Sequence, residues 1–269
     1  MTVRRAGTHR MSELLSGRTG LIVGVANKRS LAWAIAQQAD AAGARLVLTY
    51  QNERLKENVE ELVPLLKTAP ILLPCDVSRD EDIAALFSAL DGQVAGLDFL
   101  VHGAAFAPRE ALSAPFLETS REAFRIALDI SAYSLVAMAR GAAPLLARKG
   151  GGSIITLSYL GADRAFPNYN VMGVAKAALE SSVRYLASEL GAQDIRVNTI
   201  SAGPVKTLAA SGVAGFSGIL QVYRERAALK RNIDGGDVAG AAMFLLSDWS
   251  KGVSGEVIYV DAGYRPMGM

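Results

Sequence analysis

The sequence predicts an α/β protein built on a doubly wound parallel sheet of about seven strands, and three observations carry that expectation. Short runs rich in Val, Ile and Leu recur along all 269 residues. Most are continuously apolar rather than alternating, as in strands buried on both faces. Helix-length segments separate them, the order that a parallel sheet with right-handed crossovers requires.

The first strand, Gly20–Val25, runs into Gly24-Val25-Ala26-Asn27-Lys28-Arg29-Ser30 and then the helix Leu31–Ala42. This is where a Rossmann-type unit grips a dinucleotide: Gly24 allows close approach, and the amides around Ser30 and Leu31 open a helix whose positive end suits a pyrophosphate. The fingerprint G-x-G-x-x-G is absent, so a nucleotide site and a plain βα turn both stay open. The second strand, Arg45–Tyr50, ends in Gln51-Asn52. Gln51 offers a ribose hydroxyl a partner and a 2′-phosphate no charge, which favours NADH over NADPH, although Arg54 stands nearby. A helix over Glu53–Leu66 leads to the third strand, Pro70–Pro74. Asp76-Val77 follows, placed either to bind an adenine or to cap the next helix, Glu81–Leu90.

After the fourth strand, Asp98–His102, comes a helical stretch over Arg121–Ala147. Its most apolar part, Ile126–Ala147, carries Asp129 and Arg140, charges that favour a buried helix over a membrane span. The fifth strand, Ser153–Ser158, opens onto Tyr159 and a segment that ends in the helix Tyr169–Leu190. At ~100° per residue, Tyr169 and Lys176 lie on nearly one helix face, ~10.5 Å apart along the axis. Such a pair reads as a phenol acid whose pKa a neighbouring cation lowers, or as a core tyrosine beside a surface lysine. The strand Arg196–Ser201, the helix Val238–Leu246 and the strand Glu256–Val260 complete the sheet. Between them, residues from Ala202 to Lys230 read as an irregular, small-residue insert, more a lid than a structural element. One domain over 15–269, with a lid at about 202–230, thus follows a flexible tail at 1–14.

Composition sets further bounds. Lys and Arg number 28 against 26 Asp and Glu, but Arg4, Arg5 and Arg10 supply the excess, which argues against nucleic acid as a partner. One cysteine, Cys75, excludes an intramolecular disulfide and fits a reducing cytoplasm. With only two histidines beside it, no metal site is expected. No apolar run follows the N-terminal arginines, so neither a signal peptide nor membrane insertion is expected.

The motifs together carry a resemblance. The chain looks like a short-chain dehydrogenase/reductase, except that Met172 stands four residues before Lys176, where that superfamily has its tyrosine. Tyr169-x6-Lys176 with Tyr159 ten residues earlier, Gly24-x5-Ser30 and the run Ile200–Gly212 resemble the bacterial NADH-dependent enoyl-acyl-carrier-protein reductases. The resemblance spans roughly Leu15 to Gly263. It implies hydride transfer from NADH to C3 of a trans-2-enoyl thioester in fatty-acid elongation. Tyr169 would then stabilise or protonate the enolate oxygen, with Lys176 on the nicotinamide ribose. It places Tyr159 among the active-site tyrosines, either in the chemistry or lining the acyl channel. Moving the tyrosine from four to seven residues before the lysine shifts its backbone by ~4.5 Å, in keeping with an acid needed at a more distant oxygen.

The implied cofactor contacts are Gly24, Ser30, Leu31, Gln51, Asp76, Val77, Ala104, Lys176, Val205, Lys206, Thr207, Leu208 and Ala209; Ala107, Tyr159 and Tyr169 would meet substrate. The resemblance also implies a homotetramer and binding of triclosan-like phenols. Ala105 adds a methyl that the family usually lacks there, and should crowd such inhibitors, an expectation that triclosan affinity in Ala105→Gly tests. Exposed Arg224, Arg226, Lys230 or Arg231 would greet an acidic carrier protein, or simply line a solvated helix face. The apolar insert suits an acyl tail or a subunit interface equally. The competing readings are a reductase of ketones or 3-oxoacyl thioesters, against which Met172 argues, and a non-catalytic dinucleotide sensor.

Overall fold

The computed structural model describes residues 13–207 and 215–268. Seven parallel strands lie in the order β3-β2-β1-β4-β5-β6-β7, so the chain winds outward first to one side of β1 and then to the other. Their bounds are β1 Thr19–Val23, β2 Arg45–Tyr50, β3 Ile71–Pro74, β4 Phe99–His102, β5 Gly152–Ser158, β6 Ile195–Ala202 and β7 Val257–Val260. The predicted runs agree within a residue at most ends; β1 stops two residues sooner, because Gly24 turns the chain at φ +99°.

Successive side chains on each strand enter opposite cores. Ile22, Leu46, Leu48, Phe99 and Val101 pack with Trp33, Ile35, Val238 and Leu245 of helices α1 (Leu31–Ala41) and α9 (Gly235–Leu246). On the other face Leu21, Val47, Leu100 and Val197 meet α3 (Asp80–Asp91), α6 (Ser134–Ala147) and α7 (Asn170–Leu190) through Leu86, Leu135, Met138, Leu179 and Val183. Both sheet faces are thereby dry, which explains the continuous apolar strand runs. Leu14, inside the predicted tail, already packs against the first core, while residues 1–12 lie outside the described ones.

Four helical expectations need correction. Helix α2 covers only Glu53–Glu60, because Pro64 supports a separate single turn of 3-10 helix at Val63–Leu65. The stretch Arg121–Ala147 is not one helix: α5 (Arg121–Leu128) and α6 are joined by a π-helical turn, Asp129–Tyr133. The stretch has the length and apolarity of a membrane span, yet Leu135, Met138, Ala142, Leu145 and Leu146 are buried in the second core. A short helix α4 (Arg109–Ser113) was not legible. The described part of the insert also holds a regular helix, α8 (Phe216–Arg226), whose Leu220 and Tyr223 are buried.

Candidate active site

The chain reverses its winding between β1 and β4, and open α/β sheets bind ligands at the carboxyl ends of strands at such a point. There the backbones of Gly24 and Gly103 pack so closely that a Cβ on Gly24 would lie 2.6 Å from the Gly103 carbonyl. The glycine expected for ligand approach is thus needed first for strand-end packing and its positive φ. Just beyond, the Ser30 hydroxyl donates to the Asn27 carbonyl (2.7 Å) and the Arg29 amide to Asn27 Oδ1 (2.8 Å). Ser30 therefore leaves the opening turn of α1 without a side-chain cap, and that turn carries no acid. An acid-free, uncapped helix start beside Gly24 fits a pyrophosphate.

At the ends of β2 and β3 two predicted residues meet: Gln51 Nε2 donates to Asp76 Oδ2 at 2.9 Å. Asp76 does not cap α3, whose start it precedes by several residues. Its other oxygen accepts the Ser78 amide (3.0 Å) and hydroxyl (2.7 Å). Desolvation raises the Asp76 pKa, but the hydrogen bonds from Gln51 and Ser78 outweigh it and hold the carboxyl low. A carboxylate paired with Gln51 repels a 2′-phosphate and accepts hydroxyls, which suits NADH. Leu31 and Val205 pack partly buried on the first core, Val77 and Ala104 on the second. Lys206 is exposed, and the Thr207 amide donates to the Val205 carbonyl at 2.7 Å. Leu208 and Ala209 lie outside the described residues.

The lysine is not on the surface. Lys176 is 6% exposed, and its Nζ donates to the Leu157 carbonyl at 2.7 Å, at the end of β5. Burial pulls its pKa down to about 8, against an upward pull from Glu180 one turn along α7. Glu180 in turn accepts the Ser158 hydroxyl at 2.5 Å. Between pH 8 and 10.5 the unfolded chain holds this proton and the folded chain does not, so the contribution of Lys176 to stability rises with pH there. Its charge moves the other way. We expect kcat/KM for NADH to fall as pH rises through about 8 while the melting temperature does not fall with it; a flat profile to pH 9 contradicts the role of the cation.

Tyr169 is the residue before α7, not within it, and Asn168 and Asn170 flank it in left-handed conformations at φ 62° and 40°. Asn170 holds this bend, donating to the Ala111, Leu112 and Ala114 carbonyls at 3.4, 3.2 and 2.8 Å, where α4 ends. The Tyr169 ring meets Tyr159 edge-on, centroids 4.9 Å apart. Both rings lie over Gly161, where an added Cβ would fall 2.4 Å from the Tyr169 ring and 3.1 Å from that of Tyr159. The expected lowering of the phenol pKa does not occur. Burial raises it, with Tyr159 and Glu180 adding to the effect, so Tyr169 is a neutral phenol at pH 7. Burial likewise pushes Tyr159 up to about 12. Tyr169 also packs against the small cluster of Ala107, Val171, Met172 and Ala175, which joins two predicted substrate contacts in one apolar wall.

Three features escaped sequence reasoning. Ser131, in the π turn, is fully buried; its hydroxyl accepts the Phe106 amide and donates to the Phe106 carbonyl, each at 2.9 Å. It thereby fixes the loop that presents Ala104, Ala105 and Ala107. His102, 1% exposed, lies between Thr156 Oγ1 (2.9 Å) and Ser134 Oγ (2.8 Å). Burial, then the charge of Lys176, lowers its pKa to about 3, so it is neutral. Gly161 supplies the floor beneath the tyrosines. Polar residues in the apolar Ile126–Ala147 stretch, and a glycine two residues after Tyr159, were the available signals.

Comparison with known proteins points to one family. The sequence profile described as enoyl-(acyl carrier protein) reductase matches residues 24–265. The NADH-dependent enoyl-acyl-carrier-protein reductase of Bacillus cereus is 49% identical over 257 residues, covering 95% of this chain and all of that protein. The corresponding enzyme of a Nostoc species is 51% identical over 258 residues, covering 95% and 99%. The crystal structure of the Bacillus cereus enzyme with NADP+ and an indole naphthyridinone superposes with a TM-score of 0.93 at 49% identity, covering 96% of this chain and 100% of that one. That of the Anaplasma phagocytophilum enzyme with NAD gives 0.91 at 47%, covering 95% and 97%.

Proposed function

The chain belongs to the enoyl-acyl-carrier-protein reductase family, and from that premise we propose that it reduces trans-2-enoyl thioesters carried on an acyl-carrier protein, in the reductive step that closes each round of fatty-acid elongation. The observation that carries the reading is the position of the acid. Met172, four residues before Lys176, is buried in the apolar cluster with Ala107 and has no proton to give, whereas Tyr169 retains one. A ketone needs its acid beside the carbon that takes hydride; an enoyl thioester needs it at an oxygen two carbons farther on.

Bound NADH supplies the hydride that goes to C3. The chain does the rest. The opening of α1 with Gly24 and Ser30, the Gln51–Asp76 pair, Val77, Ala104 and Val205–Thr207 would hold the cofactor. Lys176 takes ribose hydroxyls and sets a positive potential at the end of β5. Tyr169 donates to the thioester oxygen as charge develops there, an interaction made chiefly in the transition state. Ala107 leaves room for the acyl chain against Met172. NADH carrying deuterium at both C4 positions, with a crotonyl thioester, tests the reading: it predicts butyryl product labelled at C3, and unlabelled product refutes it.

The carrier protein is acidic, and the basic candidates differ. Arg231 is held by both Asp237 oxygens (2.6 and 2.8 Å) and Lys230 donates to the Glu225 carbonyl (2.9 Å). Arg224 and Arg226 are exposed on α8. Arg224→Glu with Arg226→Glu should raise KM for carrier-linked substrate about tenfold and leave KM for a short free thioester unchanged; equal effects on both exclude docking there. A homotetramer is supported by Phe124, Tyr133 and Tyr185, exposed large side chains on α5, the π turn and α7. A groove of about 660 Å³ lined by Phe124, Leu128, Tyr133 and Val136 lies among them. Sedimentation as a monomer at micromolar concentration would contradict it. The single, buried Cys75 thiol agrees with work in a reducing cytoplasm.

A further inference from the structure

Tyr223 on α8 is 2% exposed, and nothing in the reaction as derived uses it. Its hydroxyl donates to the Tyr159 hydroxyl across 3.3 Å, bridging 64 residues of sequence. The place of that hydroxyl is set by other parts of the fold. Tyr223 stacks on Tyr264, centroids 3.7 Å apart and rings 14° from parallel. Tyr264 in turn sits in a turn after β7 where Asp261 accepts the amides of Gly263, Tyr264 and Arg265 at 2.9, 3.1 and 2.8 Å. The amides of Ala228 and Leu229, just past α8, donate to the Gly263 and Ala262 carbonyls at 3.3 and 3.0 Å. Two separate anchors therefore hold the Tyr223 ring before Tyr159 is considered. Tyr159 is further confined by Phe166, centroids 5.0 Å apart, and by the edge of Tyr169.

A phenol has one proton and accepts through its oxygen. Because Tyr159 accepts from Tyr223, its own proton is left to donate elsewhere, and accepting a hydrogen bond makes it a better donor. The same contact works against the effect of burial on Tyr159, as a donor aimed at a phenol oxygen must. We propose that Tyr223 is a positioning residue for this reaction: it fixes the Tyr159 phenol and turns its proton toward the substrate, making Tyr159 a second donor beside Tyr169. This rests on the reading that the two tyrosines face an enoyl thioester. It assigns Tyr159 a role in the chemistry rather than in lining the acyl channel alone, and it ties α8 to the reacting centre.

A double-mutant cycle in the full-length enzyme tests it, with Tyr223→Phe, Tyr159→Phe and both together. Phe at 223 keeps the stack on Tyr264 and removes only the hydroxyl. The expected result is a kcat about fivefold lower in Tyr223→Phe, the worth of one hydrogen bond, with KM for NADH within about twofold. In the Tyr159→Phe background the same change should move kcat by less than about twofold. An equal loss in both backgrounds, or none in the wild-type background, overturns the proposal. A second readout does not depend on turnover. With a fluorinated tyrosine at position 159, the 19F titration midpoint should rise by about half a unit or more on Tyr223→Phe, because the donor favours the phenolate. An unmoved midpoint overturns the proposal even if the enzyme is active. A moved midpoint in an enzyme that reduces no enoyl thioester keeps the contact and refutes the functional reading instead.

Discussion

Replacing Tyr169 by Phe should lower turnover of a trans-2-enoyl thioester by about 10²-fold or more, while the Kd for NADH stays within about twofold. The phenol is partly buried and desolvation holds its proton, so the hydroxyl is a ready donor and the ring a packing element. Phe preserves the ring over Gly161 and its edge contact with Tyr159, and removes only the donor. Loss of a group that acts only on the developing enolate lowers kcat and kcat/KM together, and leaves cofactor affinity unchanged if, as proposed, the α1 turn, the Gln51–Asp76 pair and Lys176 hold the cofactor. Steady-state kinetics with fluorescence titration of NADH separate the two. Full turnover in Tyr169→Phe removes Tyr169 from the mechanism.

The second large effect is expected from one methyl group that itself takes part in no proton transfer. In Gly161→Ala the new Cβ would sit 2.4 and 2.6 Å from two Tyr169 ring carbons, well inside contact. Those atoms belong to a ring held at its backbone by Asn168 and Asn170, so the ring must tilt or the loop before it must shift. Overpacking of this kind costs about 1–3 kcal/mol in stability. The larger consequence is geometric: a displacement of about 1 Å at the acid is enough to lower rate about 10²-fold. We expect kcat/KM to drop at least tenfold, with NADH affinity unchanged and the melting temperature lower by a few degrees. Wild-type kinetics in Gly161→Ala would show that the floor beneath the tyrosines has no part in placing them.

Much of this was legible in the sequence because the physics is local or one-dimensional. Strands buried on both faces are unbroken apolar runs, so β2 and its six neighbours could be placed nearly to the residue. Met172 and Lys176 were legible because spacing along a helix fixes where each falls on α7, whereas Tyr169 lies before that helix between left-handed Asn168 and Asn170, so helical spacing does not set its direction. What was not legible depends on partners distant in the chain. The π turn at Asp129–Tyr133 has no composition of its own and is recognised by Ser131 holding Phe106, 25 residues away. The stop after Glu60 required weighing Pro64 against a helical pattern that continues to Leu66. Helix α8 was hidden by glycines and serines that read as irregular, although Leu220 and Tyr223 three residues apart mark a buried face. The sign of the Tyr169 pKa shift is set by desolvation of its phenol in the fold, which the spacing to Lys176 does not reveal.

The most direct measurement compares two substrates with one enzyme preparation: NADH oxidation with a trans-2-enoyl thioester and with a 3-oxoacyl thioester of the same length and carrier. An acid at Tyr169 with apolar Met172 in the other position predicts rapid oxidation with the enoyl substrate and a kcat/KM at least about 10²-fold lower with the 3-oxo substrate. Comparable rates, or oxidation with the 3-oxoacyl thioester alone, would contradict the account.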